Sequence, residues 1–265
     1  MRIGAVTLVY FSPTHTTRRV LEAIADGFTG IQAAHVDLTP PGTQPRAIPE
    51  ITGGLALIGA PVYAGRIPEE AVTRLQRMRG RGVPAVVVAV YGNRAFEDAL
   101  LELRDLAQAQ GFVPIAGAAF IGEHSYSSRV TPIAVGRPDG MDLAYASAFG
   151  EAVQSKLAAI PSATALPVLE VPGNFPYRES RHTPTSPITL PERCTMCGAC
   201  EAACPTGAIW LSHTVVTDAR ACIRCTACVK VCPAEARIWD DPRILQTAEW
   251  LAAEHASRRE PQVWL

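Results

Sequence analysis

An α/β fold with a doubly wound, five-stranded parallel sheet, followed by a small α+β domain, is what this sequence predicts on three observations. Five short apolar runs, at residues 3 to 10, 31 to 37, 55 to 60, 83 to 90 and 113 to 121, alternate with stretches of helical periodicity. Some of these runs are apolar at every position, as in Ala85-Val86-Val87-Val88-Ala89-Val90, which is the composition of a strand covered by helices on both faces. All eight cysteines lie beyond residue 193, in two runs of identical spacing, so the last part of the chain carries a chemistry of its own.

The elements follow in order. Candidate helices at about 16 to 28, 68 to 79, 95 to 110 and 141 to 158 each come between or after the strand-like runs, giving the alternation of a parallel sheet. Ligands on such sheets bind at the carboxyl ends of the strands, where the strand order reverses. The loop after the first strand, Ser12-Pro13-Thr14-His15-Thr16-Thr17, places four hydroxyls at the mouth of a helix whose free N–H groups favour an anion. One Ser or Thr would suffice as an N-cap. No Gly-Lys-Ser/Thr follows, which argues against a nucleoside triphosphatase. The segment Gly80-Arg81-Gly82-Val83-Pro84-Ala85 precedes a strand where a dinucleotide fingerprint would follow one, and is set aside.

Three more loops end strands of the sheet: one beginning Pro61-Val62-Tyr63-Ala64-Gly65, one beginning Tyr91-Gly92-Asn93-Arg94, and one containing His124-Ser125. Glycines there let backbone approach a flat ligand, and Tyr63 or Tyr91 could stack on it. His124 is either a proton donor to a bound group or a surface histidine. From 161 to 190 prolines recur, which excludes a long helix and marks a stiff connector, while Val171 to Tyr177 carries aromatics suited to packing on a domain. The closing helix, roughly 242 to 257, puts Ile244, Leu245, Ala248, Leu251, Ala252 and His255 on one face and should dock on a domain.

The cysteine runs are Cys194-x2-Cys197-x2-Cys200-x3-Cys204-Pro205 and Cys222-x2-Cys225-x2-Cys228-x3-Cys232-Pro233. That is the bacterial spacing for two [4Fe-4S] clusters, in which the fourth cysteine of each run ligates the other run's cluster. Cys194, Cys197, Cys200 and Cys232 would then hold one cluster, and Cys222, Cys225, Cys228 and Cys204 the other. Structural zinc favours two pairs across a longer spacer, and disulfide frameworks belong to small secreted domains without a core. The runs form an internal repeat: Cys194 maps on Cys222, Cys204 on Cys232 and Ala208 on Ala236. Between them, 209 to 211 and 215 to 216 read as short strands about the turn Ser212-His213-Thr214.

The first loop resembles the phosphate loop of flavodoxins, Ser/Thr-x-Thr-Gly-x-Thr. Ser12, Thr14 and Thr17 stand at its hydroxyl positions, Thr16 at the variable one, and His15 where that family has glycine. A positive φ there would suit His better than a β-branched residue. Joined to the cysteine runs and to the Pro-Gly-Asn-x-Pro-Tyr stretch, this resembles the flavodoxin–ferredoxin fusion proteins over essentially the whole chain. The resemblance implies a flavodoxin-like sheet of order 2-1-3-4-5 in residues 1–160, a linker at 161–190, a two-cluster ferredoxin domain at 191–240, and a helix and tail at 241–265. It also implies bound FMN held by Ser12, Thr14, His15, Thr16 and Thr17, by Pro61, Val62, Tyr63, Ala64 and Gly65, by Tyr91, Gly92, Asn93 and Arg94, and by His124 and Ser125.

Two functions lead at this point, ahead of a redox sensor or assembly module without turnover. One is electron transfer between the clusters and FMN, with a redox protein or a small-molecule donor or acceptor as partner. The other is an FMN-dependent reductase of a small molecule, fed by the clusters; a sealed flavin ring would favour the first and an open cavity the second. Lys plus Arg number 24 against 25 Asp plus Glu, so charge gives no reason to expect nucleic acid or an acidic membrane. The apolar start, Ile3 to Phe11, runs into Ser12-Pro13-Thr14 without a small-residue cleavage site, and no segment is long and apolar enough for a membrane helix. A cytoplasmic protein with reduced thiols is the expectation.

Overall fold

A computed structural model describes residues 3–41, 50–161, 168–180 and 183–265. Parts of the expected linker, residues 162–167 with Pro167 and residues 181–182, lie outside the described residues, as does Arg2. The first domain runs β1 (Val6–Tyr10), α1 (Thr16–Asp26), β2 (Ala33–Asp37), β3 (Leu55–Pro61), α2 (Glu69–Leu75), β4 (Pro84–Tyr91), α3 (Ala99–Ala109), β5 (Val113–Ile121) and α4 (Gly140–Ala159). Side chains alternate across β1 with the two-residue period of a strand. Val6, Leu8 and Tyr10 pack with Val20, Leu21 and Ile24 of α1 and Phe149, Val153 and Leu157 of α4. Val9 on the opposite face, with Phe11 just beyond the strand, packs with Leu75 of α2 and Leu100 and Leu103 of α3. β3 and β4 are buried at every position, as their unbroken apolar sequences require.

The second domain is built from β6 (Ile188–Thr189), α5 (Ala199–Ala202), β7 (Ile209–Leu211), β8 (Val215–Thr217), α6 (Ala227–Lys230) and β9 (Arg237–Ile238). β7 and β8 form the expected hairpin, and β6 pairs antiparallel with β9. The two-residue strands β6 and β9 were not legible as strands, because so short a run has no periodicity to read. The chain then continues as α7 (Pro242–Glu254) and β10 (Gln262–Trp264). Asp241 caps α7, its carboxylate accepting from Arg243 N at 2.9 Å, with Pro242 in the first turn. Ile244, Ala248 and Leu251 of the expected face are buried, but Leu245 is 43% exposed and lies off the contact.

The parallel order 2-1-3-4-5 is present, but the sheet has six strands, in the order β10-β5-β4-β3-β1-β2. β10 pairs antiparallel with β5, Val263 opposite Ala118, and so covers the backbone edge that a five-stranded sheet would leave open. Among the described residues no helix is long and apolar enough to cross a membrane.

The connector segment from Asn174 to Arg178 is held against the first domain. Asp98, 2% exposed, accepts hydrogen bonds from Asn174 N at 2.8 Å, Asn174 Nδ2 at 3.0 Å and Arg178 N at 2.8 Å. Tyr177 donates to Asp105 Oδ2 at 2.6 Å and lies under the Arg66 guanidinium, 4.8 Å from ring centre to carbon. Phe175 is 79% exposed, so only one of the two aromatics expected to pack does so. Asp98→Ala leaves three donors without their acceptor, a loss of about 2–3 kcal/mol locally. Limited proteolysis should then cut the 171–180 segment well before the wild-type chain is cut there.

Candidate functional site

The phosphate-type loop folds as its composition requires. His15 takes the left-handed conformation, φ 62°, at the N-cap of α1 and gives the helix no side-chain cap. Ser12 Oγ accepts from Arg18 N at 3.1 Å, and Ser12 N donates to Thr39 Oγ1 at 2.8 Å, so this serine braces the loop from a buried position. Thr17 is fully buried and its Oγ1 has no hydrogen-bond partner. Such an orphan is costly unless a ligand or water completes it. Thr14 and Thr16 line a cavity of about 690 Å³. Ser12, His15 and Thr17 are not among the residues that line it, and His15 is exposed.

The loop after β3 is a tight reversal. Tyr63 N donates to Arg66 O at 2.9 Å and Arg66 N to Tyr63 O at 3.1 Å, with Ala64 at φ 53° and Gly65 at φ 81° between them. Two successive positive φ values are those of a type I′ turn, and a Cβ on Gly65 would run into the Glu97 carboxylate. Pro61, Val62, Tyr63, Ala64 and Gly65 all line the cavity. Tyr63 hydrogen-bonds Ser125, and its hydroxyl is pushed well above the usual tyrosine range, first by burial and next by the nearby Cys225 thiol.

Tyr91, Gly92 and Arg94 line the same space, as do His124 and Ser125. Tyr91 is 3% exposed and packs edge-on against Phe96, so it serves the sheet edge as well as the wall. Gly92 sits directly beneath the His124 ring, and any Cβ there would collide with it. Asn93 is placed elsewhere than the cavity: its Nδ2 donates to His255 O at 2.7 Å and Ser257 O at 2.9 Å, and its Oδ1 accepts from Arg259 N at 3.2 Å. One amide side chain thus satisfies the backbone of the tail leading to β10. The tail's return to this loop is a long-range event that local sequence does not announce.

The cavity has a roof that sequence reasoning missed. Arg220, Ile223 and Arg224 of the second domain line it, together with Ile244, Thr247, Trp250 and Leu251 around α7. Ile223 and Arg224 are the variable residues between Cys222 and Cys225, and nothing in a C-x2-C spacing marks them as walls of another site. The docking that brings them there is polar and specific. Buried Arg74 donates to Leu38 O at 2.6 Å, Thr39 O at 2.8 Å and Pro40 O at 3.0 Å, and also to Pro205 O, next to Cys204. Lys230 pairs with Glu123 at 2.8 Å, and Trp239 meets Tyr126 edge-on at 5.7 Å.

The eight thiols gather in two sets. Cys204, Cys222, Cys225 and Cys228 line one small void, and Cys194, Cys197, Cys200 and Cys232 another. Each run thus lends its fourth cysteine to the other run's void. Ala208 N donates to Cys204 Sγ at 3.3 Å and Ala236 N to Cys232 Sγ at 3.2 Å, symmetry-related bonds that aim the two exchanged sulfurs. Burial pushes the Cys222 thiol up to about 11 and raises Cys225 and Cys228 as well, whereas exposed Cys197 is lowered by the hydrogen bond from Ala199 N. Among the described residues no three His, Cys, Asp or Glu side chains converge as on a single metal ion. Four thiols around a void suit a cube, whose iron corners stand apart.

The family model for the 4Fe-4S binding domain matches residues 187–210 and 215–238, one match per run. Joined to it is an α/β domain whose parallel strands follow the flavodoxin-like order 2-1-3-4-5. Among solved structures, rubredoxin oxygen:oxidoreductase from the anaerobe Desulfovibrio gigas is 14% identical over 60% of this chain, with a TM-score of 0.43; the chain spans 37% of that protein's length. A flavodoxin from the domain Archaea is 13% identical over 58% of this chain and 99% of its own, TM-score 0.38. A Streptococcus pneumonia TIGR4 flavodoxin is 14% identical over 57% and 99%, TM-score 0.40. No curated protein matches the chain.

His124 provides a pH readout of this site. Burial first, then Lys230 and Arg94, lower its pKa from 6.5 to about 4, and its Nδ1 accepts from Tyr126 N at 3.0 Å. The folded state therefore holds fewer protons than the unfolded state between these values. Its contribution is intact above 6.5 and is lost as pH falls towards 4, by up to about 3 kcal/mol. Chemical denaturation of wild type and His124→Gln across that window should show a flatter pH dependence in the variant.

Proposed function

We propose that this protein transfers electrons, holding two [4Fe-4S] clusters in its thiol sets and FMN in the cavity between its domains. The observation that carries this reading is the position of one loop: Ile223 and Arg224 form part of the cavity wall, while the cysteines on either side of them line the inner thiol void. When bound there, the clusters supply one-electron steps and the flavin bridges one- and two-electron chemistry.

The residues divide the task by position. Thr14, Thr16 and the uncapped start of α1 would receive the phosphate, with the Thr17 hydroxyl supplying a further buried donor. Pro61 to Gly65 and Tyr91 to Gly92 would border the ring, and His124, neutral near pH 7, would offer its Nε2–H towards the same space. Ile223 and Leu251 lend that space an apolar wall, beside a half-exposed Trp250. The second domain lies beside this space, with one thiol set next to its wall, which supports transfer over reduction of a small substrate. The other thiol set opens outward: Cys197 is exposed and Met196 is 37% exposed. A redox protein or a small-molecule donor or acceptor would meet the protein there.

Anaerobic reconstitution of the full chain with iron, sulfide and FMN should give about eight irons, eight sulfides and one flavin per chain. Cys204→Ala should lose about four irons, with the remaining signal that of the outer set. Wild-type protein that retains flavin but no iron, or iron but no flavin, would sink the proposal.

A further inference from the structure

The two halves of the cysteine repeat differ at one buried position. The register that carries Ala208 onto Ala236 carries Ile209 onto Arg237. Ile209 is 4% exposed and Arg237 is 3% exposed, so a guanidinium stands where the first half has a core aliphatic side chain. Its Nη1 donates to Thr189 Oγ1 at 2.7 Å; its Nη2 donates to Thr217 Oγ1 at 3.0 Å and reaches Cys228 Sγ at 3.8 Å. Its Nε is buried without a partner. Among the described residues it has no ion pair, and a buried cation without a counter-charge is strongly destabilising.

Arg237 lines both thiol voids, and neither void contains an Asp or Glu. The groups able to carry negative charge on both sides of it are the cysteines themselves. We propose that Arg237 is a shared counter-ion for the two clusters, a positioning residue whose fixed charge raises the reduction potential of each.

This rests on the reading that the thiol sets hold clusters. Four thiolates leave each loaded set net negative, and one-electron reduction adds one more negative charge. No bond forms or breaks and no proton moves, because a guanidinium stays protonated throughout. Attraction to a fixed cation favours the reduced state, and with little water between them the attraction is weakly screened. The contact with Cys228 makes the effect larger for the inner set. An apolar residue, as at Ile209, supplies none of this.

The test is a redox titration of the reconstituted full chain, followed by electron paramagnetic resonance, with iron and sulfide counted in every sample. Arg237→Met and Arg237→Gln should shift both midpoints negative. At least a tenfold fall in the reduced-to-oxidised ratio at fixed potential is expected for the inner set, equivalent to about 59 mV for a one-electron couple. Arg237→Lys, which keeps the charge, should stay near wild type. Fully loaded neutral variants with wild-type midpoints overturn the proposal, as does a lysine variant that falls as far as the neutral ones. If the neutral variants fail to load, a loaded lysine variant supports the need for charge, and an unloaded one assigns Arg237 a purely structural role. Wild-type protein without iron instead overturns the cluster reading beneath it.

Discussion

Arg74 is the contact on which the arrangement of the two domains depends. Its guanidinium is buried, spans three carbonyls of the loop after β2 and one from Pro205, and pairs with Glu70 at 2.6 Å. Taking acceptors away from a buried cation is strongly destabilising, so these contacts hold the two domains at this point. Because Pro205 follows Cys204 directly, fixing that carbonyl fixes the inner thiol set against the carboxyl edge of the sheet. The stack of the guanidinium over Phe11, 5.5 Å from the ring centre, ties the same point to the end of the first strand.

From that docking the rest follows as geometry. The second domain lies over the loops that border the cavity, so Ile223 and Arg224 become walls of a space otherwise built from strand ends. The chain must then return to the first domain, and it does so through α7 and the sixth strand. Asn93 accepts and donates along that return, while Arg258 pairs with Asp139 at 2.6 Å. Asn93 and Arg258 therefore hold the returning tail against the first domain.

Most of the first domain was legible because its signals are local. A short, valine-rich, unbroken apolar run such as 85 to 90 reads as a doubly covered strand, and five such runs in alternation with helices point to a parallel sheet. The cavity residues at the strand ends were legible for the same reason, since those ends and the turns that follow them are marked by Tyr, Gly and hydroxyl residues, whereas the lining from Ile223, Arg224 and α7 was not. Asn93 sits in the same kind of loop yet turns its side chain to the tail, and the tail's destination was not encoded in its neighbours. Leu245 shares the periodicity of Ile244 and Ala248 but stays exposed, since the contact stripe on α7 is narrower than the apolar one.

By itself the sequence determined the alternation of five strands with helices, the two cysteine runs, and the hydroxyl loop at the mouth of α1, because each is set by spacing within a short window; the strand order was an expectation from resemblance. Only the tertiary structure decided that the inner thiol set lies under the cavity and the outer one faces solvent, that the tail adds a strand to β5, and that Arg237 stands between the two sets. Those are distances between residues far apart in the chain. They come from how two finished domains pack, where buried charge must find acceptors and open strand edges must find partners.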